Sequence, residues 1–169
     1  NDQDDWEILR KVIHLRKKRH ETDSAWVFLK RLHRLYPNRN SITIEYANLL
    51  MEKTEYREAR DLYEPIAEQY DPDETNEDAK IARLHMAKCM LKLGDTRAAH
   101  KIFRGLVRDD NKFKEAFDGL AIAAMELGKR DEAEKASKKA ASLEKYEFSR
   151  DAIEPERIEG MQLTPTTAT

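Results

Sequence analysis

The chain has 169 residues, 38% of them charged, yet 31 Lys plus Arg nearly balance 33 Asp plus Glu for a formal net charge of -2. That length suits one domain or a short repeat array, and no stretch reaches the roughly 18 uninterrupted apolar residues of a membrane-spanning helix. Five Gly and five Pro are too few for a turn-rich β-sandwich, and the single Cys89 excludes an intrachain disulfide framework or a cysteine-based zinc site.

Taken in chain order, the apolar residues recur at helical spacing and in pairs of segments. Residues 6–39 open with RKVIHLRKKRH at 10–20, six Lys/Arg and two His without an acid. Val12, Ile13 and Leu15 break that run at core-facing spacing, and no aromatic residue stands within it to stack on a base. This argues for a solvated face or a complement to acidic groups rather than for nucleic acid or lipid binding. The second helix of this stretch carries Ala25, Leu29 and Leu32, a small residue followed by bulky ones four and seven places later.

Residues 40–73 repeat the scheme, with Tyr46, Ala47 and Leu50 on a first helix and Ala59, Tyr63 and Ile66 on a second. Pro65 falls inside that second helix and predicts a bend there. An acidic insertion, 71–79, follows. Asp71, Asp73 and Thr75 open it like a calcium-binding loop, but Asn76 and Ala82 stand where that loop needs Gly and Glu. Thr75 with Asp78 reads as a capping box for the next helix.

Residues 80–113 place Met86, Ala87 and Met90 on a first helix and Ala99, Phe103 and Leu106 on a second. Residues 114–147 repeat this as Leu120, Ala121 and Ala124, then Ala133, Ser137 and Ala140. Leu93 with Leu127, Gly94 with Gly128 and Ala99 with Ala133 stand one period apart, as do Ala25 with Ala59. The links GDTR and GKRD each offer a helix-ending Gly and an Asp for the turn or cap. Cys89 lies beside core positions without a neighbouring His and reads as a small buried hydrophobe. Residues 148–163 keep enough apolar groups for a capping segment over the end of the stack, and 164–169 read as a disordered tail. Asn1 rather than Met opens the chain, so a processed chain or a piece of a longer one is expected.

Four helix pairs on one period, with a small residue in the first helix, Gly at the turn and an Ala–aromatic ladder in the second, resemble the tetratricopeptide repeat (TPR) family over residues 6–147. The resemblance implies an all-α fold, a right-handed superhelix of about four helix pairs, and a non-catalytic protein-interaction or adaptor role without cofactor. In the first repeat Ile13 takes the small-residue position and Arg16 an apolar one. A subset of the family clamps acidic chaperone tails. Asn48 matches that clamp, but Ile44, Ile81, His85, Glu115 and Gly119 depart from it, so that activity is not expected.

Helical geometry places the wall of such a stack beside each small residue. The residues expected there are Arg10, His14 and Lys17; Ile44, Asn48 and Met51; Leu84, Lys88, Leu91 and Lys92; and Asp118, Ile122 and Met125. The repeats carry net charges of +4 (1–40), -9 (41–79), +6 (80–113) and -1 (114–147). A peptide or partner domain on that wall is the expected ligand. Self-association of oppositely charged repeats into a scaffold is the alternative, and a regulatory domain cut from a larger membrane-bound or enzymatic protein is a third reading. No metal site is expected from His14, His20, His33, His85 or His100, which lack ligand spacing.

Overall fold

A computed structural model describes Arg10, Lys11, His14, Leu15, Lys18 and residues 22–161, with side-chain surroundings given for 24–145 and for those five. Among the described residues the chain is helical throughout, without strands. The elements are α1 (Thr22–Leu35), α2 (Asn40–Glu52), α3 (Tyr56–Ala67), α4 (Glu77–Leu93), α5 (Thr96–Asp109), α6 (Lys114–Glu126) and α7 (Arg130–Met161). They divide into two compact units, 1–102 and 103–169.

In the N-terminal unit α2 packs against α1, α3 and α4, and α3 packs against α4. Three neighbours demand a broad apolar surface. Accordingly Ile42, Thr43, Ile44, Tyr46, Ala47, Leu49 and Leu50 are all buried along thirteen residues of α2. The second helices bury narrower stripes. Ala25, Leu29 and Leu32 do so on α1, and Ala59, Tyr63, Ile66 and Ala67 on α3, as the small-then-bulky spacing predicts. Tyr63 is fully enclosed, and removing an aromatic side chain of that kind from water is worth about 2–3 kcal/mol. α3 runs through the exposed Pro65 and ends two residues later, so the lost backbone donor falls in its last turn.

The C-terminal unit pairs α6 with α7. Its core is built mostly from small residues, with Ala116, Gly119, Ala123, Ala124, Ala133, Ala136 and Ala140 buried around Phe103, Leu106 and Leu120. Gly119 is required by close approach: a Cβ there would lie 2.3 Å from Phe103 Cε1. The ring of Phe103 therefore rests on bare backbone. Ser137, placed on the ladder by its spacing, is exposed, as an end helix with one covered side allows. α7 continues unbroken to Met161, so 148–161 prolongs the last hairpin. What 148–163 covers, and the tail at 164–169, lie outside the described side chains.

Three hairpin turns share one backbone device. Gly94 N–H donates to Leu91 O at 3.1 Å and Asp95 N–H to Met90 O at 2.9 Å, with Gly94 at φ 88°. Gly128 N–H donates to Met125 O at 3.0 Å and Lys129 N–H to Ala124 O at 2.8 Å, with Gly128 at φ 74°. Both are six-residue loops that tie off the last helical carbonyls and need a left-handed residue. Thr54 holds the same position after α2 at φ 65°, donating to Met51 O at 3.0 Å while Glu55 N–H reaches Leu50 O at 2.9 Å. A β-branched residue is strained there, by about 1–2 kcal/mol.

One cap differs from the sequence expectation. α4 begins at Asn76, whose Oδ1 accepts from Ala79 N–H at 3.0 Å, and not at Thr75. Asn is as good a cap as Ser, and its carbonyl reaches the third amide of the helix without help from Asp78. Asp71 instead turns its own loop, accepting from Asp73 N–H at 2.9 Å.

Candidate interaction surface

The residues expected on the wall fall into four groups. Arg10 and His14 are exposed, and Lys17 lies outside the described residues. Ile44 and Leu84 are core, with relative exposures of 7% and 3%, and offer almost nothing to a ligand. On α2 the reason is its burial between three neighbouring helices, which extends the core around to Ile44.

Asn48 and Met51 are half-buried and tied to Tyr63 of the following helix. The Tyr63 hydroxyl donates to Asn48 Oδ1 at 2.6 Å, lies 3.5 Å from Met51 Sδ, and stands 3.3 Å from His85 Nδ1. His85 also meets the Tyr63 ring edge-on, at 5.5 Å between centroids. Burial pushes the Tyr63 phenol well above its ordinary range, so it remains protonated and able to donate. This polar cluster joins α2, α3 and α4. The alanine–aromatic ladder located Tyr63, but its hydroxyl contacts had no signature in the spacing.

Lys88 and Leu91 are half-buried on α4 and Lys92 is exposed. Lys92 also lies in the last turn of α4, where a cation meets the negative end of the helix favourably. On α6, Asp118 is held by Lys114 Nζ at 3.0 Å, one helical turn back. Ile122 and Met125 project from the same helix with exposures of 55% and 59%. Between them in sequence, Ala123 and Ala124 lie on the opposite, wholly enclosed stripe of α6.

A second polar chain binds α1 to α2 and α3. Thr43 Oγ1 and His33 Nδ1 are 3.1 Å apart, His33 stacks on Tyr46 at 5.6 Å, and the Tyr46 hydroxyl donates to Glu58 Oε1 at 3.4 Å. Burial holds the His33 imidazolium pKa below its usual value. Nearby, Lys30 and Lys53 stand 4.7 and 5.3 Å from the Trp26 ring, a pair of cation–π contacts.

Chemistry of other kinds finds little here. Among the described residues no three His, Cys, Asp or Glu side chains gather to hold a metal, and no helix is long and apolar enough to cross a membrane. Cys89 is fully buried, and burial pushes its thiol up to about 11, far from a reactive thiolate.

The hairpins thus define a class of protein, the all-α solenoid of TPR-like helix pairs. Its fold is similar to that of solved MamA structures. A structure titled MamA RS-1 ArsTM double mutant matches with a TM-score of 0.69 at 14% identity, over 85% of this chain and 77% of that one. MamA 41-end from Desulfovibrio magneticus RS-1 matches with a TM-score of 0.66 at 17% identity, over 81% and 74%. MamA MSR-1 C2 gives 0.62 at 17%, over 78% and 72%. No family model and no curated protein matches the sequence.

Proposed function

We propose that the chain is a non-catalytic protein-interaction module, taking a peptide or partner domain on the exposed faces of its first helices. The observation that carries this reading is the pair Ile122 and Met125. Two large apolar side chains more than half exposed, one turn apart on a helix whose other face is dry, cost solubility and do nothing for the core. A flexible Met beside a branched Ile suits the apolar anchor of a bound segment. In the N-terminal unit the face offered is polar and of mixed charge, with Asn48 between Glu45 and Glu52 on α2, Lys88 and Lys92 on α4, and Arg10 and His14 on the described part of the first repeat. Half-buried Met51 and Leu91 belong to that unit, and Asp118 stands with Ile122 and Met125 on α6 of the C-terminal unit.

The test is Ile122→Lys with Met125→Lys, compared with wild type in cross-linked capture from the source lysate. Unchanged melting with loss of captured partners is expected. Retention of every wild-type partner by the double variant would refute the reading.

A second reading, assembly of like chains into a scaffold, is favoured by one observation. Glu52, Glu55, Glu58, Asp61, Glu64 and Glu68 are all exposed along α2 and α3, whereas the repeat that follows is strongly basic. Light scattering across a salt series separates the two. Oligomers that dissolve at high salt support the scaffold, since exposed charge pairs are screened, and a salt-indifferent monomer opposes it.

A further inference from the structure

The second helices share the period of the first, so their outward positions can be compared. Asp61 of α3 stands one period beyond Val27 of α1, and Lys101 of α5 holds the same place in the next repeat; all three are exposed. Leu35 corresponds in the same way to Gln69 and Asp109. The fold thus accepts a charge or an amide at both places, and α1 fills both with apolar residues. Val27 and Leu35 are each 60% exposed and lie on one face, about 12 Å apart along the axis.

Arg31 stands between them, one turn from each, and Arg34 beside Leu35; both are exposed. Neither guanidinium has a hydrogen-bond or ion-pair partner among the described residues, whereas Arg60, Arg104 and Arg108 all meet carboxylates. Lys30 is turned to the Trp26 ring. The one acid in the sequence of α1 is Asp23, in its first turn, and none follows from Ser24 to Ile44.

Two apolar side chains two turns apart, with a guanidinium between them, fit the face of one amphipathic helix. Its apolar residues cover Val27 and Leu35, and its carboxylates fork onto Arg31 and Arg34, a geometry that guanidinium offers and ammonium does not. The chain's own run at 10–20 is basic and carries the wrong charge to lie there. A broad anionic membrane fits less well, because the next second helix of the same unit exposes Asp61, Glu64 and Glu68.

We propose that the outer face of α1, formed by Val27, Arg31, Arg34 and Leu35, is a second docking surface, for an acidic amphipathic helix of a partner protein. Arg31 and Arg34 select the acidic partner, and Val27 and Leu35 supply the apolar area that contact removes from water. The surface uses none of the residues of the first-helix wall, so the two are tested independently.

The test is an NMR titration of the isotope-labelled full chain with an acetylated peptide of the repeated heptad Leu-Glu-Glu-Leu-Glu-Ala-Glu. Saturable shifts centred on the α1 amides are expected. The same heptad with lysine for glutamate should leave α1 still, and with alanine for leucine should bind about tenfold more weakly. Arg31→Glu with Arg34→Glu should weaken the leucine–glutamate peptide by at least about tenfold, and Val27→Ser with Leu35→Ser by about tenfold. All four side chains are exposed, so melting should stay near wild type. If a variant does not fold, the lysine and alanine peptides make the same comparison from the ligand's side. Ile122→Lys with Met125→Lys should leave this binding intact.

A leucine–glutamate peptide that moves no α1 amide, or a lysine peptide that binds as well, overturns the proposal. Undiminished affinity in the folded Arg31→Glu, Arg34→Glu variant does the same. Cosedimentation with phosphatidylserine vesicles that this variant loses would put a membrane in place of the partner helix. Shifts in α1 that grow with protein concentration alone would put a second copy there, and either result overturns it.

Discussion

The hairpins α2–α3 and α6–α7 are built on one template and filled in opposite ways. The first is crowded with large residues. Ile42, Leu49, Leu50 and Tyr63 are enclosed, and a polar chain from His33 and another from Tyr63 thread between its helices. The second is nearly all alanine on its inner side and keeps its large apolar side chains, Ile122 and Met125, on the outside. The period that makes both hairpins constrains where small residues must sit so that backbones approach. It does not constrain what fills the remainder. Stability is concentrated where large residues are buried, and the alanine-lined hairpin depends on its few bulky contacts.

The sharpest way to break that comparison is at Phe103, the fully buried ring among the described residues of the C-terminal unit. Phe103→Ala should cost about 3–5 kcal/mol in urea unfolding, since little surrounds the cavity that could collapse into it. A loss of under 1 kcal/mol would show that the alanine core carries itself. Next comes Gly119→Ala, where the new methyl meets an immobile ring. A cost of about 1–3 kcal/mol is expected, with partial recovery when Phe103→Leu is added; additive losses would mean that the two positions are not in contact.

At the turns the expected effect is smaller and of opposite sign. Thr54→Gly gives α2–α3 the residue that α6–α7 already has, and should raise stability by about 1 kcal/mol after glycine's own entropy is subtracted. Destabilisation would mean that the Thr54 side chain makes a compensating contact.

The smallest effect is a pH dependence centred on the packing of α1 against α2. The native His33 pKa is lowered, so the unfolded chain binds more protons just below pH 6.5. Its contribution is intact above that pH and is lost as pH falls through the native value. Hydrogen-exchange protection in α1 and α2, taken relative to the intrinsic exchange rate at each pH, should therefore fall between neutral and mildly acid pH. His33→Gln should flatten that slope, and an unaltered slope would place the titrating group elsewhere.

Much of this architecture was legible because it rests on spacing. Ala59, Tyr63 and Ile66, like Ala25, Leu29 and Leu32, face the core because their intervals match the helical turn, whatever else surrounds them. Gly94 and Gly128 were equally plain, since glycine has little other reason to stand there. Thr54 was invisible for the converse reason: a β-branched residue advertises extended backbone, and only neighbouring packing forces it to a positive φ. Ile44 and Leu84 read as wall positions because a single helix viewed alone has one buried stripe, whereas α2 packs against three neighbours and α4 against both α2 and α3. The Asn48–Tyr63–His85 chain escaped for yet another reason. It joins three helices through side-chain reach, a property of rotamers that no interval encodes.

Cys89 leaves the molecule with a built-in clock. It is the chain's only thiol, fully enclosed and with a pKa of about 11, so at neutral pH almost none of it is thiolate while the N-terminal unit stays closed. Any alkylation at neutral pH must then be paced by opening events that bring the sulfur to water. The rate at which this one atom is consumed reports how often the unit opens, without a dye, a tag or an added cysteine.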